Sequence, residues 1–279
     1  FMINFNGNLV AQSNENIEQN RGFLYGDAVF ETLKVLDNNV LFFEDHYFRL
    51  MASMRILRME IPLEFTLEYL ESEILKITNA LNLPNARVRL TVFRSGEGKY
   101  LPEMKTVGFI VNAECTAAMY ENTSEVHEVE IFKDFHLAKH LLSSLKTTNK
   151  LINVTASVFA HENNYDNCFL INEDKNIVEF INGNVFLVKD QVIVTPPLAD
   201  GCVNGILRKK LMDIISKSED FVLEERSISP FELQKADEIF LTNVIQGIQS
   251  VSKYRKKQFI NTVANSLTVK LNAQIRFNS

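Results

Sequence analysis

Two hydrophobic periods run through this chain, and they never settle into a strict strand-helix alternation. Apolar residues two apart mark strands, and apolar residues three or four apart mark helices. Arg87 to Phe93 alternates, with Val88, Leu90 and Val92 on one face and Arg87, Arg89 and Thr91 on the other, the pattern of a strand. Leu67, Leu70, Ile74 and Ile77 recur at helical spacing within Leu63 to Leu81. Asn6-Gly7 between short apolar runs predicts a hairpin turn, and Val29 to Val35, Asp37-Asn38-Asn39 and Val40 to Phe43 predict a second hairpin. A helix from Glu44 to Met59 follows, stopped by Pro62. Val107 to Val111 reads as a buried strand, and Ala113 to Ser124 loses periodicity. Beyond it the spacing predicts a strand over Val126 to Phe132, a helix over Lys150 to His161, and strands over Cys168 to Ile171 and Asn184 to Val188. A turn at Pro196-Pro197, a helix over Gly205 to Lys217, a strand over Glu238 to Thr242 and a helix from Phe259 complete the chain. This order disfavours a doubly wound sheet and predicts an α+β fold. Its division is residues 1–115, a linker at 116–124, and residues 125–279.

Charge and cysteine use narrow the partners. With 29 basic against 35 acidic residues the net charge is −6, and no basic stripe advertises a nucleic-acid surface. No apolar run is long enough to span a bilayer. Cys115, Cys168 and Cys202 are scattered, which fits a reducing compartment. Phe1 to Asn6 lacks the basic and apolar regions of a secretory leader, so a cytoplasmic location is expected.

Four segments have the chemistry of a site, and each has a plainer reading beside it. Asp200-Gly201-Cys202-Val203-Asn204-Gly205-Ile206-Leu207-Arg208 turns sharply and opens a helix, which is either a phosphate cradle or an ordinary helix start. Lys146-Thr147-Thr148-Asn149-Lys150-Leu151 holds two lysines at a helix opening, either an amine nucleophile or solvated charge. Glu179, ahead of Ile181-Asn182-Gly183-Asn184, is a surface acid or a buried partner for a cation. Asp237 to Ile245 is a strand ending in polar residues, a common place for ligands. His136 and His140 stand four apart, as two ligands on a helix face would, yet the glutamate and third ligand of a metal motif are missing, and no metal site is expected.

In this order and spacing the segments resemble the fold-type IV pyridoxal-phosphate enzymes. Tyr25-Gly26-Asp27-Ala28-Val29-Phe30-Glu31-Thr32 is similar to that family's Gly-Asp-Gly-x-Phe/Tyr-Glu strand, and His46-Tyr47-Phe48-Arg49-Leu50 to its His-x-x-Arg-Leu helix. Lys146 to Leu151 resembles Lys-x-x-Asn-x-Leu, and Gly205-Ile206-Leu207-Arg208 resembles Gly-Ile-Thr/Met-Arg. The resemblance implies a smaller N-terminal α/β sandwich, a larger C-terminal mixed α/β domain, a homodimer, a small-molecule amino substrate and the cofactor pyridoxal 5'-phosphate. It implies that Lys146 forms the Schiff base and moves protons, and that Glu179 keeps the pyridine nitrogen protonated. Arg49 then clamps the phosphate, with Ile206, Leu207, Val244 and Asn243, while Val203 packs on the cofactor face and Asn182 joins the binding set.

Three features lean toward the 4-amino-4-deoxychorismate lyases of the family, which release pyruvate and 4-aminobenzoate for folate synthesis. The turn Val203-Asn204-Gly205 is similar to theirs, Leu151 stands where branched-chain aminotransferases place a tyrosine, and Arg94-Ser95-Gly96-Glu97-Gly98-Lys99-Tyr100 resembles their Arg-Gly-x-Gly loop. On this reading Arg94 and Lys99 meet substrate carboxylates, joined by Tyr25, Glu31 and Tyr100. The alternative is an aminotransferase for branched-chain or D-amino acids; Glu31 also stands in D-amino-acid aminotransferases.

Overall fold

Asn6 and Gly7 both take positive φ, 48° and 83°, so the turn they make is the tight one that joins two antiparallel strands. It links β1 (Ile3–Phe5) to β2 (Asn8–Val10), and the computed structural model describes residues 2–12, 16–123, 125 and 127–278. The chain divides into two units. The first is Phe1–Met119 with Lys146–Asn149, and the second is Tyr120–Leu145 with Lys150–Ser279. Periodicity did not show that four residues from the middle of the chain group with the first unit. Ser124 of the proposed linker and Val126 of the strand expected after it lie outside the described residues.

In the first unit, α1 (Arg21–Tyr25), β3 (Ala28–Leu36), β4 (Asn39–Val40), α2 (Phe43–Ile56), α3 (Leu67–Ala80), β5 (Ala86–Arg94) and β6 (Val107–Cys115) follow. Asp37 and Asn38, both at positive φ, make the turn between β3 and β4. The strands form an antiparallel sheet in the order β2-β1-β6-β5-β3-β4. Alternation then sorts the side chains. Val29, Leu33, Val35, Val88, Leu90 and Val92 bury against Leu50, Met54, Leu70 and Ile74 of the two long helices. The opposite face carries Phe30, Thr32 and Lys34, which stand across from Thr91, Arg89 and Arg87. α3 starts at Leu67 rather than Leu63, because Thr66 caps it by accepting from the Tyr69 amide.

In the second unit come β7 (Glu128–Ile131), α4 (Leu141–Ser144), α5 (Leu151–Glu162), β8 (Asn167–Ile171), β9 (Ile177–Phe180), β10 (Gly183–Lys189) and β11 (Val192–Thr195). They are followed by α6 (Ile206–Ser216), β12 (Val222–Glu225), β13 (Glu238–Asn243), β14 (Gly247–Ser250), β15 (Lys253–Tyr254), β16 (Lys257–Gln258) and α7 (Thr262–Asn278). Parallel pairs (β7 with β8 and β15, β11 with β12) mix with antiparallel ones in a single large sheet. Phe169, Phe180, Val185, Leu187 and Leu241 fill one core, while Cys168 and Leu170 pack under Ala156 and Ala160 of α5. Burial on both faces explains the continuous apolar run Cys168 to Ile171 in β8. Buried Glu238 accepts from the amides of Val263 and Ala264 and so anchors the start of α7.

His136 and His140 do not share a helix, since the segment between them is irregular. Among the described residues no group of three or more His, Cys, Asp or Glu side chains is placed to hold a metal ion, and no helix is long and apolar enough to cross a membrane. Cys115 is exposed at the end of β6, whereas Cys168 and Cys202 are buried. Burial pushes both of these thiols up to about 12.

Candidate active site

Lys146 is presented by backbone pairing and not by a helix. The Phe30 amide donates to the Lys146 carbonyl at 2.9 Å, Thr148 donates to the Ala28 carbonyl at 3.1 Å, and Val29 bridges Thr147. The segment thus extends the sheet along β3, and α5 begins only at Leu151. Asn149 completes the seat by donating its Nδ2 to the Gly26 carbonyl at 3.0 Å. Gly26 has φ 64°, and a Cβ there would collide with the Asn149 side chain. One contact therefore ties the glycine of the early motif to the asparagine of the lysine motif.

The Lys146 Nζ lies over the ring of Phe30, 4.7 Å from its centroid. Arg89 lies over the same ring, with its guanidinium carbon at 3.6 Å. Arg89 is half-buried, and its Nε donates to Thr91 Oγ1 at 3.2 Å. Burial lowers its pKa, helped by the charge of Arg87, and no carboxylate among the described residues pairs with it. A desolvated guanidinium without an anion is primed for a carboxylate ligand.

Glu31 sits on the helix-covered face of the same strand, buried to 2 % exposure. Its Oε2 meets His46 Nδ1 at 2.7 Å and Arg49 Nη2 at 2.5 Å, and its Oε1 accepts from Arg49 Nε at 2.8 Å. Burial alone would raise the carboxyl, but the Arg49 charge and the hydrogen bonds of His46 and Arg49 outweigh it and hold the pKa at about 2. For His46 the sign is opposite. Burial lowers its pKa, Glu31 only partly restores it, and the charges of Arg49 and Lys146 lower it further. Expected to meet substrate, Glu31 instead spends both oxygens on α2 and orients the Arg49 guanidinium.

The loop after β5 also departs from expectation. Arg94 is buried, and its guanidinium donates to Asp27 Oδ2 at 2.8 Å and to the carbonyls of Arg58 and Leu57 at 3.1 and 2.6 Å. These bonds close the C-terminal end of α2. Arg21 takes the same Asp27 oxygen at 3.0 Å and donates to the carbonyls of Gly98 and Lys99. Tyr25 packs beside Tyr100 at 5.8 Å, and Lys99 and Tyr100 are exposed.

In the second unit, register brings a row of polar groups together. Glu179 stands opposite Asn184, and Asn184 opposite Thr242, across β9, β10 and β13. Residues directly opposed share a sheet face. Glu179 Oε2 accepts from the Val203 amide at 2.9 Å, and Asn184 Nδ2 donates to the Val203 carbonyl at 2.9 Å. Val203 is thus pinned at both backbone groups, and Gly205 follows against the Asn184 side chain, where a Cβ has no room. Gly205 caps α6 with no side-chain hydrogen bond, which suits the first amides, at Ile206 and Leu207, for an anion. Thr242 Oγ1, buried, has no hydrogen-bond partner among the described residues. The turn after β13 is built by Asn243, whose Oδ1 accepts from the amides of Ile245 and Gln246, and whose Nδ2 shares Gln246 Oε1 with Asn182.

Sequence reasoning missed Arg89. It was visible only as one of three polar residues on an alternating strand, which ordinarily marks the solvated face.

The profile of the class IV amino-transferases matches residues 28–254. The chain is 28% identical to a Methanocaldococcus jannaschii protein provisionally named a branched-chain-amino-acid aminotransferase, over 98% of this chain and 95% of that one. It is 26% identical to the D-alanine aminotransferase of Bacillus licheniformis, over 89% of this chain and 86% of that one. Its fold matches the branched-chain aminotransferase of Thermoproteus uzoniensis at a TM-score of 0.86, 23% identity, and coverage of 99% and 93%.

Proposed function

Because the chain belongs to the class IV amino-transferase family, we propose that it is a pyridoxal-phosphate-dependent aminotransferase for carboxylate-bearing substrates, with Lys146 as its reactive amine. The observation that carries this reading is the shared ring of Phe30, which holds the Lys146 amine and an arginine that pairs with no carboxylate among the described residues. When bound, the cofactor's pyridine ring withdraws electrons from the substrate carbon that bears nitrogen.

The residues present fit such a group. Lys146 Nζ supplies the amine for the aldehyde carbon. The same amine would be the base that takes the proton from the substrate carbon and the acid that returns it. Glu179 supplies the carboxylate for the pyridine nitrogen, held in place by the Val203 amide. Phosphate is assigned to the Gly205-capped amides of Ile206 and Leu207, the turn at Asn243-Val244, and Arg49, whose guanidinium Glu31 orients. Val203 and Asn182 keep the cofactor-facing roles that the resemblance gives them. Arg89 takes a substrate carboxylate.

Aminodeoxychorismate lyase is the second reading. Leu151 is exposed at the start of α5, so no phenol stands there, and the Val203-Asn204-Gly205 turn favours it. Its third support, Arg94 as a carboxylate ligand, is weakened by the contacts that side chain makes with Asp27 and two carbonyls, and the names of the curated relatives favour transamination.

Borohydride reduction of the yellow protein is expected to fix pyridoxal phosphate on the peptide containing Lys146. Amino acids with 2-oxoglutarate should then yield glutamate. Pyruvate from aminodeoxychorismate with no glutamate formed would reverse the two readings, and a protein that takes up no pyridoxal phosphate would end both. A cytoplasmic homodimer is part of the same proposal, checked by sedimentation.

A further inference from the structure

One buried phenol stands apart from every role assigned above. Tyr120 is 3% exposed, and its hydroxyl donates to the Val244 carbonyl at 2.6 Å. Its ring lies against Gly247, where φ is 77° and an added Cβ would come within 2.6 Å of the ring. Its own carbonyl accepts from Asn272 Nδ2 of α7 at 2.8 Å. Tyr120 therefore grips both ends of the turn between β13 and β14. A carbonyl and the amide that follows it share a peptide plane, so holding the Val244 oxygen keeps the Ile245 amide directed at Asn243 Oδ1 and the turn closed. Gly247, opposite Asn243 in the ladder, fixes where the turn ends.

We propose that Tyr120 is a positioning residue for phosphate binding, holding the Asn243-Val244-Ile245 turn in the conformation that offers the Val244 amide to the cofactor phosphate. The inference rests on the reading of that turn as a phosphate site. Burial raises the pKa of the phenol, which stays protonated and donating across the working range. Asn243 sets the turn from within, through its two amide contacts, and Tyr120 sets it from outside.

The test compares pyridoxal phosphate with pyridoxal, which lacks the phosphate, by titrating the apoprotein in visible absorbance. Tyr120→Phe removes only the hydroxyl. It is expected to weaken pyridoxal phosphate by about fivefold, the worth of one hydrogen bond, and to leave pyridoxal unchanged. Gly247→Ala disturbs the same turn from the other end and is expected to show the same selective loss. Equal weakening of both compounds would reduce Tyr120 to a general fold contact and overturn the proposal. So would unchanged affinity for both. Wild-type protein that takes up neither compound would overturn the cofactor reading itself, a result distinct from the other two.

Discussion

At the residue scale, the site turns on which cations have anions. Arg94 and Arg21 converge on Asp27 and Arg208 on Glu225, so their charges serve the fold, whereas the pairing of Arg49 with Glu31 orients a guanidinium assigned to phosphate. Arg89 lies on Phe30 with no such partner among the described residues, and this singles it out for ligand binding. Arg89→Ala is expected to raise KM for a dicarboxylate acceptor by tenfold or more, with a smaller effect on kcat. Arg89→Lys should recover only part of the loss, since an ammonium cannot make the planar two-point contact. Steady-state kinetics with 2-oxoglutarate checks both, and an unchanged KM would remove Arg89 from the site. The side chain escaped notice because its alternating neighbours, Arg87 and Thr91, share the polar face of β5. Polarity on a strand face does not say whether water or a ligand will meet it.

Among the elements, Gly26 shows how two distant motifs are one object. Its left-handed turn leaves room for the Asn149 side chain, which fastens the lysine segment to the end of β3. Gly26→Ala combines positive-φ strain with that collision and is expected to cost about 1–3 kcal/mol. Urea unfolding checks the loss, and hydrogen exchange at Phe30, whose amide is held by Lys146, should quicken with it. Much of this level was legible in sequence. The Asn6-Gly7 hairpin, the alternation of β5 and the helical spacing of α3 each follow from strong local chemistry. β9, β11, β12, β14, β15 and β16 were not expected, because strands of two to four residues are too short to display a period. The lysine was expected at a helix opening, yet it lies in a bridge to β3 that only tertiary pairing defines.

For the whole molecule, stability should fall on acidification for two reasons of the same sign. Glu31 drops from its ordinary 4.5 to about 2 on folding, so its contribution is complete above pH 4.5 and fades as pH approaches 2. That contribution is on the order of 3 kcal/mol. Buried His46 has a lowered pKa, so below its ordinary 6.5 the unfolded chain gains a proton that the folded chain resists. Urea midpoints are therefore expected to decline from about pH 6.5 downward, and more steeply below 4.5; a flat profile would contradict the burial of the pair. The three cysteines offer a way to follow such unfolding. Only Cys115 is exposed, while Cys168 and Cys202 keep their protons to about 12. A thiol-reactive dye at neutral pH should attach once per native chain and three times in urea. The native protein thus carries a single built-in labelling handle, and the late appearance of the other two thiols becomes a clock for the opening of the second unit.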